Sequence, residues 1–282
     1  MSKTVTVHTI VQNEEKYLWF SVMSIIDFVD EVFIWDTGST DNTVPIIKEI
    51  KKLYPNKIYF KEVGMVDPDK FTSIRQEMLR ETTSDWLMIV DGDEVWWNDR
   101  IREVVSIINQ NRNSLDTIVN RYINLVGDIY HFQDDSAGRY NIDGKTGYLT
   151  VRAMNRKIEG LDIGRPYGQQ GFFNGNGVLI QDMEVKKRHF LDKFTYLHFT
   201  NLPRSRNSFA KDVPKRMMKY KYELGDSFPP DFYYPEVFFR PRPKIIESPW
   251  VARNSSYFLR ASIETPLKNI KRNLIPNKKS GY

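Results

Sequence analysis

The sequence predicts an α/β protein whose sheet is mostly parallel, with helices on both faces. Over about the first 110 residues, short apolar segments typical of strands alternate with segments of helical periodicity. Beyond them, strand-like runs are separated by Gly, Asp and Asn turns, which indicates an antiparallel extension. The chain has 282 residues, 40% of them hydrophobic, and can therefore bury a substantial core.

The first part of the chain alternates four expected strands with three expected helices. We expect strands at 4–11, 31–35, 57–61 and 86–90, because each is short, apolar or β-branched, and closed by polar residues. Helical patterns lie between them, from the polar break at 12–15 to about residue 27, over about 42–53 and over 71–82. Strands joined by helices at this spacing run parallel in one sheet.

The remaining chain has two parts that differ in composition. Strand-like runs occur at 116–126, 147–154 and 177–185. Lys and Arg become dense from residue 204, and residues 228–250 are rich in Pro and aromatics, which predicts extended chain wrapped on the body. We expect 266–282 to form a basic, mobile tail. The expected division is 1–110 as one half of the main domain, 111–205 as its second half and 206–282 as an irregular C-terminal extension.

Composition excludes several classes of site. The chain has no cysteine, so disulfides, thiolate metal sites and Cys nucleophiles are ruled out. No apolar stretch has the length of a membrane span, and the N-terminal residues lack a signal-peptide pattern. With 41 Lys and Arg against 36 Asp and Glu, the net charge of +5 suits an anionic partner. We expect a cytoplasmic protein that contacts the inner face of an anionic membrane peripherally, and no nucleic-acid partner, because no nucleic-acid module is recognisable.

Polar clusters follow three of the four expected parallel strands. They are 13–15 after the first, 36–41 after the second and 91–94 after the fourth. The carboxyl ends of parallel strands meet at one edge, where ligands of open α/β sheets bind. Each cluster alone is weak, since Ser39, Thr40 and Asp41 are also ordinary helix caps. Three such clusters at the same edge of the sheet predict a binding site.

Asp91 and Asp93 suit a hard divalent cation. In the sequence Asp-Gly-Asp both carboxylates turn the same way on an extended chain, and Gly92 leaves room for a ligand. Mg²⁺ and Mn²⁺ commonly bridge one or two carboxylates and a ligand diphosphate. Such a cation neutralises charge on a departing diphosphate.

Residues 1 to about 110 resemble the nucleotide-sugar-binding half of family 2 glycosyltransferases with the GT-A fold. The matching motifs are Asn13-Glu14-Glu15, Asp36-Thr-Gly-Ser-Thr-Asp41-Asn-Thr, Ser73-Ile-Arg75-Gln76 and Asp85-Trp-Leu-Met-Ile-Val-Asp91-Gly-Asp93-Glu94. The resemblance implies a Rossmann-like donor half, an acceptor-side second half and transfer of a sugar from a nucleotide-diphosphate sugar to an acceptor hydroxyl. It implies an inverting reaction that depends on Mn²⁺ or Mg²⁺, in polysaccharide, lipopolysaccharide or other glycoconjugate synthesis, with a saccharide or lipid-linked acceptor.

The same resemblance implies roles for individual residues. Asp36 would contact the nucleobase, Asp91 the ribose or the metal, and Arg75 the nucleotide or diphosphate. Asp93 would be the principal metal ligand and a catalytic group. The expected nucleotide-sugar-binding set is Thr9, Val11, Glu14, Asp36, Arg75, Asp91 and Gly92.

Two roles fall on the second half of the chain. Related enzymes often supply a late His near the metal, and the strand-like setting of His198 favours it over His189, although a purely structural histidine stays open. An acceptor base is also needed. The loop 167–171, where relatives often carry an acid, has amides here, so Asp162 and Asp182 are the nearby catalytic candidates.

Alternatives remain at the level of function and of single residues. A catalytically impaired nucleotide-sugar-binding protein and a sugar nucleotidyltransferase are both compatible with this sheet. Trp96 and Trp97 either stack on a sugar or pack the loop. The basic run 204–221 is either a solvated helix face or a support for an acceptor phosphate or lipid.

Overall fold

Four parallel strands form one side of a ten-stranded sheet in this computed structural model, which describes residues 2–67, 70–110, 114–165, 170–206 and 221–274, without the side chain of Asn273. The strands are β1 (Val5–Val11), β2 (Glu31–Asp36), β3 (Ile58–Glu62) and β4 (Trp86–Ile89). They lie in the order β3-β2-β1-β4, and each neighbouring pair is parallel. The four strands expected from the sequence are confirmed.

Helices cover both faces of this sheet. They are α1 (Leu18–Ile25), α2 (Thr43–Leu53), α3 (Phe71–Glu81) and α4 (Asn98–Gln110). Apolar residues of α1, α2 and α4 share one large core, whereas Ile74 and Met78 of α3 pack against Phe33 and Trp35 in a separate cluster. The two clusters are separate because successive side chains of a strand point to opposite faces of the sheet.

The second half of the chain extends the sheet. Its strands are β5 (Glu94–Trp96), β6 (Thr117–Val126), β7 (Asp128–Phe132), β8 (Tyr140–Ile142), β9 (Lys145–Gly147), β10 (Leu149–Asn155), β11 (Asp162–Gly164), β12 (Gly171–Phe173), β13 (Arg188–His198) and β14 (Asp226–Ser227). β10 is antiparallel to both β4 and β6, so the antiparallel extension is confirmed. β13 lies parallel to β6 and antiparallel to β5, and thereby joins the two halves.

Two expectations about the second half are wrong. Residues 177–185 are not a strand, since the amides of Asp182 and Met183 bond to carbonyls three residues back and only Leu179 bridges to Phe173. Residues 266–274 are not a tail either. They belong to a fifth helix, α5 (Ser255–Leu274), which continues through the exposed residue Pro266. Residues 275–282, with Lys278 and Lys279, lie outside the described part of the chain.

The Pro- and aromatic-rich segment lies on the body, as expected, but it is irregular chain with a 3-10 helix at Glu236–Phe239 and is not extended throughout. Val237 and Phe238 are buried in the large core, and Phe238 packs against Phe20 of α1. The carbonyl of Tyr233 accepts a hydrogen bond from the indole of Trp97. Among the described residues, none of the helices has the length and apolar character that crossing a bilayer requires.

Candidate functional site

The loops that follow β1 and β2 are bonded to each other. Asn13 has a positive φ of 53°, and its side-chain oxygen accepts from the amide of Thr40 at 2.7 Å. The amide of Asn13 in turn donates to the hydroxyl of Ser39 at 2.8 Å. Asp41 precedes Asn42, the N-cap of α2, and accepts from the amide of Thr43 at 2.9 Å, so it supports the start of the helix without being its cap residue. These contacts fix the shape of the sheet edge next to Asp36.

Asp36 ends β2, and its two carboxylate oxygens differ in their hydrogen bonds. Its Oδ2 accepts from the amides of Gly38 and Ser39, both at 2.9 Å. Its Oδ1 is buried and has no hydrogen-bond partner among the described residues. The hydroxyl of Thr9 on β1 is in the same condition. Buried acceptors of this kind normally have partners, so both point to a ligand group.

Asp91 lies beyond β4 between two guanidinium groups. Arg75 Nη2 is 3.7 Å from Oδ1, and Arg152 Nη2 is 3.2 Å from Oδ2. Burial opposes the charge of Asp91, but Arg152 and Arg75 outweigh it and hold its pKa below the ordinary value. The side chain remains 31% exposed, so this ionised carboxylate is accessible to a ligand.

Arg152 also contacts Glu94, which is fully buried at the start of β5. Burial raises the pKa of Glu94 well above its usual range, although the guanidinium of Arg152 opposes the rise. Arg152 rests beside the ring of Tyr196, and its Nε donates to the Tyr196 hydroxyl at 3.3 Å. Glu94 is thus part of the support under Asp91 and Asp93.

Asp93 is buried, and a histidine and an arginine that come about a hundred residues later in the chain lie beside it. His198 Nε2 lies 3.6 Å from Asp93 Oδ2, and Arg204 Nη1 lies 3.0 Å from the same oxygen. Arg204 Nη1 also bonds Glu14 Oε1 at 2.8 Å. His198 reaches this position because β13 pairs with β5, with His198 opposite Glu94. The sequence-based choice of His198 therefore identified a residue that the fold brings to Asp93.

A divalent cation fits this donor set only with help from a ligand. No three His, Asp or Glu side chains within the described ranges converge as a metal site. Asp93 Oδ2 and His198 Nε2 are close enough for one cation to contact both, and Asp91 is nearby and exposed. Mg²⁺ and Mn²⁺ accept most of their ligands from diphosphate and water. The residues fit a cation that arrives with a diphosphate.

Gly92 and Val11 have structural tasks at this edge. A Cβ on Gly92 would come within 3.1 Å of Val11 Cγ1 and 3.2 Å of Glu14 Cγ. The side chains of Val11 and Glu14 are therefore what lies close to Gly92. The carbonyl of Val11 accepts from the amide and the hydroxyl of Thr37. The space that we expected Gly92 to leave for a ligand is taken by Glu14.

The two candidate bases are surface residues of the second half of the chain. Asp162 starts β11 and Asp182 ends a 3-10 turn, and both are exposed. Most of the loop 167–171 lies outside the described residues. His189 is at the opposite end of β13, roughly 30 Å from His198 along an extended strand.

Trp96 and Trp97 pack rather than present their faces. Trp96 is buried against Tyr196, and Trp97 is nearly buried with its indole bonded to Tyr233. The packing interpretation is therefore confirmed for both.

Sequence reasoning missed two arginines. Arg152 is a lone charge in an otherwise apolar strand, and a buried charge requires a partner, so this pattern could have identified it. Arg204 was grouped with a basic run interpreted as a solvated face or a support for an acceptor, which is wrong for this residue because it is buried against Glu14 and Asp93. Residues 207–220 of that run lie outside the described part.

Comparisons with known proteins agree with the motifs. The SPbeta prophage-derived glycosyltransferase SunS of Bacillus subtilis (strain 168) is 28% identical over 149 residues, which cover 51% of this chain and 33% of SunS. The aligned stretch thus spans about a third of that relative.

Solved structures with a similar shape were also found. S. aureus TarS 1–349 in complex with UDP-GlcNAc has a TM-score of 0.47 at 15% identity, covering 70% of this chain and 58% of that one. Mycobacterium tuberculosis glucosyl-3-phosphoglycerate synthase with Mn²⁺ and UDP-glucose has a TM-score of 0.44 at 16% identity, covering 70% and 71%. Residues 6–160, more than half of the chain, match the family described as Glycosyl transferase family 2, and the chain belongs to that family.

Proposed function

We propose that this protein transfers a sugar from a nucleotide-diphosphate sugar to an acceptor hydroxyl, with inversion and with a divalent cation, in polysaccharide, lipopolysaccharide or other glycoconjugate synthesis. The observation that carries the proposal is the meeting of Asp36, Asp91 and Asp93 at one sheet edge. SunS, a relative by sequence, is itself named a glycosyltransferase.

The donor would lie across the ends of β2, β1 and β4. Asp36 is two strands from Asp91, a separation of about 10 Å at the usual strand spacing, which an extended nucleotide bridges. The unpaired Oδ1 of Asp36 would accept an N–H of the base. Asp91, held ionised by Arg75 and Arg152, would accept ribose hydroxyls or bind the cation.

The reacting end of the donor would face Asp93, His198 and Arg204. Asp93 and His198 would hold Mn²⁺ or Mg²⁺ against the diphosphate, and the bound cation would stabilise the charge of the leaving group. Arg75 and Arg204 supply fixed positive charge beside the same position. The acceptor hydroxyl needs a base to remove its proton as the new bond forms, and Asp162 and Asp182 remain our candidates.

A donor screen tests the proposal. Ligand that binds only the folded state raises the melting temperature, so nucleotide-diphosphate sugars should do so more strongly with Mn²⁺ than without it. Turnover of the best donor should disappear after exhaustive chelation and return when Mn²⁺ is added. Full activity without metal contradicts the metal role. Donor binding without hydrolysis or transfer favours the impaired binding protein, and release of pyrophosphate from a nucleoside triphosphate and a sugar phosphate favours a nucleotidyltransferase.

His198→Ala tests the reacting end separately. We expect a strong loss of activity and a weaker donor affinity only when metal is present, because Nε2 is beside Asp93 Oδ2. His189→Ala at the far end of the same strand is the matched control and should change little. If His198→Ala binds donor and metal like the parent and only melts earlier, His198 is a packing residue against Tyr122.

A further inference from the structure

The outward face of α5 is apolar, whereas its inward face, where Tyr257 and Ala261 are buried, also carries polar groups that bond to the body. Five large side chains on it are 58–77% exposed: Leu259, Ile263, Leu267, Ile270 and Leu274. At 3.6 residues per turn they fall within an arc of about 80°. We call these five residues the α5 stripe. A helix that only covers the body of a protein has the opposite arrangement.

Polar contacts attach the other face of α5 to the body. The hydroxyl of Tyr257 donates to the carbonyl of Lys221 at 2.7 Å, and Thr265 accepts from the amide of Leu224 at 3.0 Å. Lys268 donates to the carbonyl of Tyr222 at 2.6 Å, and Arg272 pairs with Glu223. These contacts hold the helix in one orientation, in which the α5 stripe faces away from the core.

Charge around the α5 stripe decides which partner fits it. The helix carries four basic residues and one acidic residue, Glu264. Arg260 and Lys271 border the stripe on the same side. Arg260 pairs with Glu264 at 2.6 Å, whereas Lys271 has no ion pair among the described residues. In a seam between two copies of α5, Lys271 would be repeated with no acid of the helix left to balance it. An anionic lipid surface meets both features, since it accepts apolar side chains and attracts bordering cations.

We propose that α5 is an amphipathic anchor that lies in the interface of an anionic membrane, with the α5 stripe inserted among the acyl chains. About 30 Å of helix would contact the bilayer in its plane. The inference goes beyond the proposed sugar transfer and does not depend on it. It replaces the expectation of a basic tail with a defined surface.

Vesicle flotation of the full chain tests the anchor without any measurement of turnover. Vesicles are made of phosphatidylcholine alone or with about 30 mol% phosphatidylglycerol. We expect binding to the anionic vesicles, and a loss of about tenfold or more in the double variant Ile263→Glu/Leu267→Glu. Arg260→Gln and Lys271→Gln should each weaken binding about fivefold. The matched control is Leu53→Glu, the same change at a leucine that is 58% exposed on α2, and it should float like the parent.

Three results overturn the proposal. One is a parent that does not float with anionic vesicles at low salt. Another is equal flotation of the double variant and the parent, which would mean plain electrostatic adsorption. The third is a parent that light scattering shows to be a dimer, that the double variant converts to a monomer and that does not float, which would assign the α5 stripe to a second copy. Circular dichroism of each variant shows whether it is folded.

Discussion

At the residue scale, the site is a set of carboxylates held by arginines from distant parts of the chain. Asp91 is bound by Arg75 and Arg152, and Asp93 by Arg204. A buried carboxylate is stable only with such partners, because desolvation of an unpaired charge is costly. The arginines that stabilise these carboxylates would lie beside a cation brought by the donor. Each acid therefore has both a structural and a chemical task.

Asp93→Asn is expected to show both tasks. The fold is retained, but the free energy of unfolding drops by about 1–3 kcal/mol, because buried Arg204 loses one charged partner and keeps Glu14. The change falls at a buried position, since Asp93 is only 1% exposed. We expect kcat/KM to drop by roughly 10²–10³-fold. Urea unfolding and steady-state kinetics measure the two effects. Asp99→Asn, at an exposed acid of α4, is the control.

Asp36→Asn separates ligand binding from loop stability. The amide oxygen can still accept from Gly38 and Ser39, while the amide nitrogen replaces the unpaired Oδ1. We expect donor affinity to weaken about 10–100-fold with little change in kcat, since the contact is far from the reacting carbon. Asp36→Ala should in addition lower the melting temperature, because it loses both loop hydrogen bonds. Unchanged donor affinity of the asparagine variant by calorimetry would exclude this role for Asp36.

At the element scale, β1 and α3 are joined by a buried histidine. His8 of β1 stacks on Phe33, and its Nε2 is 2.6 Å from the hydroxyl of Thr82, just after α3. Because that hydroxyl donates to the carbonyl of Met78, Nε2 of the histidine carries the hydrogen and is the donor. Burial and, second, the charge of Arg75 lower the pKa of His8 from 6.5 to about 3, so the ring is neutral near pH 7. The two elements are thus joined through an uncharged imidazole.

The lowered pKa of His8 predicts a pH-dependent stability. Below pH 6.5 the unfolded chain binds a proton that the folded chain does not, so stability declines as pH falls towards about 3. Between pH 7 and pH 5 this costs about 2 kcal/mol. His8→Gln, whose amide can still donate to Thr82, should reduce the difference between the two pH values by that amount. Urea unfolding at both pH values measures it, and an unchanged difference would show that His8 is not responsible.

At the scale of the whole molecule, one buried acid, Glu223, contributes to the attachment of the C-terminal helix. Glu223 accepts from Arg272 Nη1 at 2.5 Å and Nη2 at 2.7 Å, and from Gln133 at 2.6 Å. Burial opposes its ionisation, but these bonds, those of Arg272 first, lower the pKa of Glu223. The stability from this pair is present above the unfolded pKa and is lost as pH falls through the lowered value. α5 is thereby tied to β7, and so to the sheet that carries the site.

Arg272→Met should loosen this attachment. Removing one partner of a buried pair typically costs about 3–5 kcal/mol, and because Gln133 still donates to Glu223 we expect a loss near the lower end of that range. We expect a lower melting temperature and faster proteolysis within α5. Lys271→Met is the matched control, since the neighbouring Lys271 is exposed and has no ion pair among the described residues. Equal melting temperatures for the two variants would mean that Glu223 is satisfied without Arg272.

The α/β class, the four parallel strands, the three polar strand ends and His198 could all be predicted from the sequence. These predictions depend on local signals: apolar periodicity marks strands and helices, and polar residues at strand ends must meet at one edge of a parallel sheet. Local signals led to wrong predictions where they are ambiguous, as at 177–185 and at Pro266. The partners of the acids became visible only in the folded structure. Arg204 and Glu14 are 190 residues apart, and Arg152 and Asp91 are 61 apart. No periodicity encodes such pairs, because a buried charge constrains which partner must come near in space and not where it lies along the chain.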